Sequence, residues 1–153
     1  MPLTISREPV RQAGVIALLE QSDAYMAALY PADSNHLLDL ASLEKPEVSF
    51  LVARNDGEIV GCCALVEAGD GTAEIKRMFV APNARGLAIG RRLMEALEET
   101  AHAMGLSAIR LETGVSQPEA IGLYRRFGFE DIPPFGSYRP DPLSLFMEKR
   151  LLG

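Results

Sequence analysis

A strand-like run from Glu74 to Val80 leads into Arg85-Gly86-Leu87-Ala88-Ile89-Gly90, and a long amphipathic stretch from Gly90 to Met104 leaves it. A small-residue loop thus joins a strand to a helix N-terminus. The first-turn N–H groups of a helix have no intrahelical partners, and the helix dipole adds partial positive charge there. A phosphate or pyrophosphate is the natural guest of such a place. Arg85, Arg91 and Arg92 crowd this end, where a cation is disfavoured by roughly 0.3–1 kcal/mol. A bound anion resolves that conflict; without one, the segment is a tight turn with solvated arginines. The loop has neither the Gly-Lys-Ser/Thr ending of a P-loop nor the Gly-x-Gly-x-x-Gly spacing of a dinucleotide fold, so a different anionic ligand is implied.

The rest of the chain is read outward from this junction. Ile89, Leu93, Leu97, Ala101 and Met104 recur at helical spacing on one face, Glu95, Glu98 and Glu99 lie off it, and Gly105 suits a C-cap. Ala108 to Thr113 then reads as a strand that, after such a crossover, runs parallel to the strand Thr72–Val80. Upstream, Leu3 to Ser6 reads as an edge strand. Pro9 suits a first helical position, with Val15, Leu18, Leu19 and Met26 following at helical spacing. Tyr30-Pro31-Ala32-Asp33-Ser34 breaks that helix, and Asp33 or Ser34 can cap a short second one carrying Leu37, Leu40 and Leu43. Ser49–Arg54, Ile59–Val66 and Thr72–Val80 form an antiparallel meander through Asn55-Asp56-Gly57-Glu58 and Gly69-Asp70-Gly71. Downstream, Pro118 opens a helix that Gly128 ends. Phe129–Ile132 starts a strand, a proline-rich loop runs to Pro142, and Leu143–Lys149 closes the sheet. The fold class expected is α/β (α+β), a mixed, mostly antiparallel central sheet flanked by helices.

Length and composition narrow the roles. The 153 residues suit one domain spanning 1–153, and 48% apolar content suits a packed core. No apolar run approaches the roughly 20 residues of a bilayer span, and the stretch Met1 to Arg7 does not read as a signal peptide. A net charge of −6 argues against nucleic acid as the main partner. Cys62 and Cys63 are adjacent on one strand and point to opposite faces, which disfavours a disulfide and suits a reducing, cytoplasmic setting. No His/Cys cluster has metal-ligand spacing, so no metal is expected.

Two motifs resemble those of the GNAT superfamily of acyl-CoA N-acyltransferases. Arg85-Gly86-Leu87-Ala88-Ile89-Gly90 is similar to the family's pyrophosphate loop, Arg/Gln-x-x-Gly-x-Gly/Ala, with Ala88 in the place of the first glycine. Ala120-Ile121-Gly122-Leu123-Tyr124-Arg125-Arg126-Phe127-Gly128-Phe129 resembles Ala-x-x-Leu-Tyr-x-x-x-Gly-Phe. Val80-Ala81-Pro82 adds support, and the order of elements matches over nearly the whole chain. Gln117 departs from the asparagine common in the family at that position.

The resemblance implies acetyl-CoA as cofactor and assigns roles residue by residue. The backbone from Arg85 through Gly86, Leu87, Ala88 and Ile89 to Gly90 would hold the pyrophosphate, with Arg85 and Arg91 adding charge-assisted bonds. The pantetheine arm would lie beside Met78, Phe79 and Val80, in a gap where this strand and the next splay, and Gln117 would reach cofactor or solvent. Glu74 corresponds to the general base of histone-type members; its alternative role is an ion pair with Lys76 or Arg77, and Glu112 is the rival base. Period-two alternation places Glu74, Lys76, Met78 and Val80 on one face. Tyr124 corresponds to the tyrosine that protonates the leaving thiolate, its alternative being core packing. The acceptor site would draw on Tyr25, Tyr30, Asn35, His36, Phe135, Tyr138 and Arg139, a set suited to a small amine bearing a carboxylate.

The function expected is transfer of acetyl to a primary amine of a small molecule, by direct attack in a ternary complex. The alternatives are an acetyltransferase acting on a protein amine and a non-catalytic acyl-CoA-binding or sensor domain, which would need neither Glu74 nor Tyr124. A homodimer is common for the fold, but no feature of the sequence demonstrates one.

Overall fold

The computed structural model describes residues 3–31, 39–84 and 88–151. A seven-stranded sheet runs in the order β1-β2-β3-β4-β5-β7-β6, built from β1 (Leu3–Arg7), β2 (Val48–Asn55), β3 (Glu58–Glu67), β4 (Thr72–Val80), β5 (Ala108–Gly114), β6 (Glu130–Ile132) and β7 (Ser144–Arg150). Every neighbouring pair is antiparallel except β4/β5, which is parallel. The helices are α1 (Ala13–Leu29), α2 (Leu40–Leu43), α3 (Ile89–Ala103) and α4 (Pro118–Arg126). A helical crossover, α3, is what a parallel neighbour requires, while the meander β2-β3-β4 needs only turns. The first turn has Asp56 at φ 57° and Gly57 at φ 85°, the two positive values of a type I′ hairpin turn, whose twist matches that of the strands.

The two faces of the sheet carry different helices. A Cβ on Gly61 would come within 3.1 Å of Ile89 and 3.3 Å of Leu93, so Gly61 faces α3 at close quarters. The next residue, Cys62, points the other way; its cross-strand partner Phe79 meets the ring of Tyr25 on α1 at 6.4 Å. The α3 stripe Ile89, Leu93, Leu97 and Ala101 is buried, with Met94 beside it. Strands β2 and β3, covered on both faces, are buried along most of their length. Cys62 and Cys63 are both buried and reduced.

Two N-terminal expectations change. Pro9 does not open α1, which begins at Ala13 after Gln12. The Gln12 amide turns back to the Pro9 carbonyl and the Glu8 carboxylate, and its backbone N–H bonds Val10, so a separate turn precedes the helix. The cap of α2 is Asp39, which accepts from the Ser42 N–H at 2.8 Å; the expected caps Asp33 and Ser34 lie outside the described residues.

Glu8 ties β1, α1 and β2 together, accepting from Arg54 Nε at 2.9 Å and Nη2 at 2.8 Å. The Arg54 guanidinium pulls the Glu8 carboxyl down from 4.5 to about 2. A lowered folded pKa stabilises the native state above the unfolded value, and that stability is lost as pH falls from 4.5 toward about 2. After allowance for solvent screening the loss is about 1–2 kcal/mol. Urea midpoints at about pH 6 and about pH 3 should show it, with a smaller acid shift in Glu8→Gln.

Candidate active site

The site begins with an irregularity in β4. Cys62 pairs with Phe79 and Ala64 with Lys76, so a two-residue step on β3 faces a three-residue step on β4. The surplus residue is Arg77, at φ 57°, which makes this a β-bulge. Alternation therefore resets at Arg77. Glu74, Lys76 and Phe79 face the α1 side, whereas Met78 and Val80 turn toward α3. Glu74, Lys76, Met78 and Val80 do not share one face as period-two spacing predicts, because the bulge inserts a residue between the two pairs.

The other edge of β4 opens. Pairing with β5 runs from Thr72/Ala108 to Ile75/Leu111 and stops there, although β4 continues to Val80 and β5 to Gly114. The strands diverge into a wedge flanked by Met78, Phe79 and Val80 on one side and Glu112 to Gly114 on the other. Strand backbone without a partner presents hydrogen-bonding groups that need one. An extended amide-bearing chain such as pantetheine is suited to that role.

At the end of β4, a 3₁₀ turn, Pro82–Ala84, leads toward α3. Arg85, Gly86 and Leu87 lie outside the described residues. Ala88 is the N-cap of α3, at φ 60° and ψ 26°. This left-handed conformation explains a glycine preference at the position and costs an alanine about 1 kcal/mol. No side chain caps α3 among the described residues, and its first turn carries no acidic residue. The orphan amides of Ala88, Ile89, Gly90 and Arg91 thus remain available to an anion. Arg91 is exposed beside them, while Arg92 reaches back to the Leu3 carbonyl at 3.4 Å. Gly90 has a packing role too: a Cβ there would stand 3.1 Å from Leu123 of α4. The start of α3 and the wedge together fit a diphosphate with an extended arm.

Tyr124, on α4, is buried with its ring 5.9 Å from Phe129. Its hydroxyl makes no hydrogen bond among the described residues. Burial pushes its pKa well up, and the charge of Glu112 on β5 pushes the same way. The phenol therefore stays protonated at neutral pH. Gln117 is the N-cap of α4, but its side chain caps nothing there, which leaves the amide for other uses.

On the opposite face, a cavity of about 780 Å³ lies between β4, β5 and the loop before β7. Glu74, Lys76, Arg110, Phe135, Tyr138 and Arg139 are among the residues that line it. Tyr138 Oη donates to Glu74 Oε2 at 2.5 Å and accepts from Lys76 Nζ at 2.6 Å. Lys76 also stands 3.5 Å from Glu74 Oε2. Burial, then the Glu74 charge, push the Tyr138 phenol well up, so it remains the donor. Arg110 is held by Glu148 at 2.7 Å and lies over the Phe135 ring.

Of the acceptor residues named from the sequence, the structure brings Tyr138, Phe135 and Arg139 to this cavity, around Glu74. Tyr30 instead accepts from the Ser116 N–H and sits against Gly114, where a Cβ would collide with its ring. Tyr25 is part-exposed on α1 against Phe79. Glu112 stands just past the last β4/β5 pair, accepting from Ser144 Oγ at 2.7 Å. Asn35 and His36 lie outside the described residues. Sequence reading missed Arg110 and Ser144; only cross-strand pairing with Glu74 and Gly114 places them here. Among the described residues no group of His, Cys, Asp and Glu could hold a metal, and no helix is long and apolar enough to cross a membrane.

A sheet with a bulged, splayed β4 and an uncapped crossover helix is the scaffold of an acyl-CoA-dependent transferase. Residues 15–129 match the model of the Acetyltransferase (GNAT) family, and the chain belongs to that family. It is 57% identical over 150 residues to an IAA acetyltransferase of Azospirillum brasilense, covering 97% of this chain and 98% of that one. A crystal structure from Klebsiella pneumoniae, assigned as an acyl-CoA N-acyltransferase, superposes with a TM-score of 0.87 at 39% identity, covering 98% of both chains. The fold also matches the PaiA N-acetyltransferase of Thermoplasma acidophilum in complex with coenzyme A, with a TM-score of 0.77 at 18% identity over 99% of this chain and 100% of that one. The protein is an N-acetyltransferase that uses acetyl-CoA.

Proposed function

We propose that this enzyme acetylates a primary amine of a small, amino-acid-like molecule by direct attack within a ternary complex. The cavity along the paired half of β4 carries the reading. It places a carboxylate, Glu74, with aromatic walls and the exposed Arg139, a set suited to a molecule with one amine and one carboxylate. Acetyl-CoA, when bound, supplies an activated acetyl group and a good leaving thiol. The amides of Ala88 to Gly90, with Arg91, hold its diphosphate, and the backbone of Met78 to Val80 aligns its arm.

Glu74 takes the ammonium proton, since only a neutral amine has the lone pair to attack. Tyr138 and Lys76 hold the Glu74 carboxylate in place. The backbone N–H of Met78, on the edge of β4 away from β3, supports charge developing on the acyl oxygen. Tyr124, from the α4 side, gives the departing thiolate a proton. Base and acid thus act from opposite faces of the sheet, through the wedge. Neither cysteine serves as a nucleophile: burial pushes Cys62 up to about 12 and Cys63 well above its ordinary value.

The test is release of coenzyme A, read with a thiol-reactive dye, over a panel of amines with and without a carboxylate. Turnover should favour amino acids over the matching simple amines, and Arg139→Ala should raise KM for the amino acid about tenfold, the loss of one charge-assisted contact. Equal turnover of both amine classes would remove the carboxylate from the reading.

A further inference from the structure

The side chain that makes the bulge is not where a bulge residue needs to put it. A left-handed position in a strand usually falls to glycine, because a Cβ is unfavourable there. Here it is Arg77, and its guanidinium is buried, with the side chain 4% exposed. The arginine turns onto α1, donating through Nη1 to Asp23 at 2.6 Å and through Nη2 to the Leu19 carbonyl at 3.4 Å. Its Nε is buried without a partner among the described residues. The Arg77 carbonyl is held separately, accepting from the Cys62 thiol at 3.4 Å. A strained backbone, a buried charge and an orphaned donor are three costs at one residue. The fold keeps them at the step just before Met78 and Phe79.

We propose that Arg77 is a positioning residue for acyl transfer. Its clasp on Asp23 and Leu19 fixes the bulge, and the bulge fixes the direction in which the Met78 amide faces the wedge. Helix α1 thereby sets the geometry of the thioester carbonyl's hydrogen bonds without touching it. The inference rests on the proposed seating of the acyl arm beside Met78 to Val80. Asp23 is the useful handle, because its side chain is 53% exposed and its loss leaves the core intact.

The experiment compares Asp23→Asn, Arg77→Met and Arg77→Gly with the unaltered enzyme, with kcat expressed per coenzyme A site counted by calorimetry. Arg77→Gly keeps the left-handed backbone and deletes the clasp, so it separates the side chain from the bulge itself. Arg77→Met and Arg77→Gly should each lower kcat about a hundredfold with KM for acetyl-CoA within about twofold, the scale of a misplacement of about 1 Å. Asp23→Asn should lower kcat about tenfold, and adding it to Arg77→Met should cost nothing further, as for two members of one unit. Arg77→Lys should recover part of the loss. Unchanged kcat per site, with only a lower melting temperature, overturns the proposal and leaves Arg77 as a packing residue. Failure of the unaltered enzyme to bind coenzyme A would instead remove the reading beneath it.

Discussion

Replacing Tyr124 with phenylalanine is expected to lower kcat about a hundredfold while the affinity for coenzyme A stays within about twofold. The ring fills a buried site against Phe129, and phenylalanine fills it equally well, so packing is preserved. What disappears is one hydroxyl that makes no hydrogen bond among the described residues, so no partner is left behind unsatisfied. A purely structural tyrosine predicts almost no change from such a substitution. A proton donor predicts a loss confined to the step in which the thiolate departs. The hundredfold effect corresponds to about 2.7 kcal/mol of barrier, within the range of a single general acid. Steady-state thiol release and calorimetry on the same preparation separate the outcomes. A raised KM with unchanged kcat would mean that the hydroxyl only shapes the cofactor's seat.

The scaffold was legible in the sequence because its signals are local. Period 3.6 in Ile89, Leu93, Leu97 and Ala101, the Asp56-Gly57 turn and the parallel return of β5 each rest on residues close in the chain. The family followed from two such stretches, Arg85 to Gly90 and Ala120 to Phe129. The bulge was not legible. The alternation of apolar and polar residues breaks at Lys76-Arg77, but the register shift itself belongs to the pairing of β4 with Cys62 and Ala64 on β3. Arg77 beside Lys76 was the available hint, but it reads equally well as one more solvated strand residue. Ala88 escaped for a related reason: alanine is a good helix former, and nothing in the sequence marks its left-handed backbone. The cavity was half legible. Tyr138 and Glu74 were both named, yet their hydrogen bond joins residues 64 apart in sequence, a distance over which spacing carries no information.

The base is the site's sharpest test, because two carboxylates compete for the role. Glu74→Gln is expected to lower kcat/KM by about 10²–10³, and Glu112→Gln by about tenfold. Both side chains face the α1 side of the sheet, since Glu74 pairs with Arg110, two residues before Glu112. Glu74 lines the cavity, with Tyr138 and Lys76 holding its Oε2. Glu112 stands at the fork of the wedge, where its charge acts on both Tyr124 and Tyr138, and Ser144 holds it. The first position suits removal of a proton from an amine entering through the cavity. The second suits orientation of the two phenols. Glutamine keeps the size and one carbonyl acceptor of each side chain, so folding should survive in both variants. The pH dependence distinguishes the roles more sharply than the rate. Without its base, the enzyme must capture the small fraction of amine already neutral, so the activity of Glu74→Gln should climb with pH toward the amine's own pKa. Glu112→Gln should keep the profile of the unaltered enzyme at lower amplitude. A climbing profile for Glu112→Gln and a retained one for Glu74→Gln would exchange the two assignments.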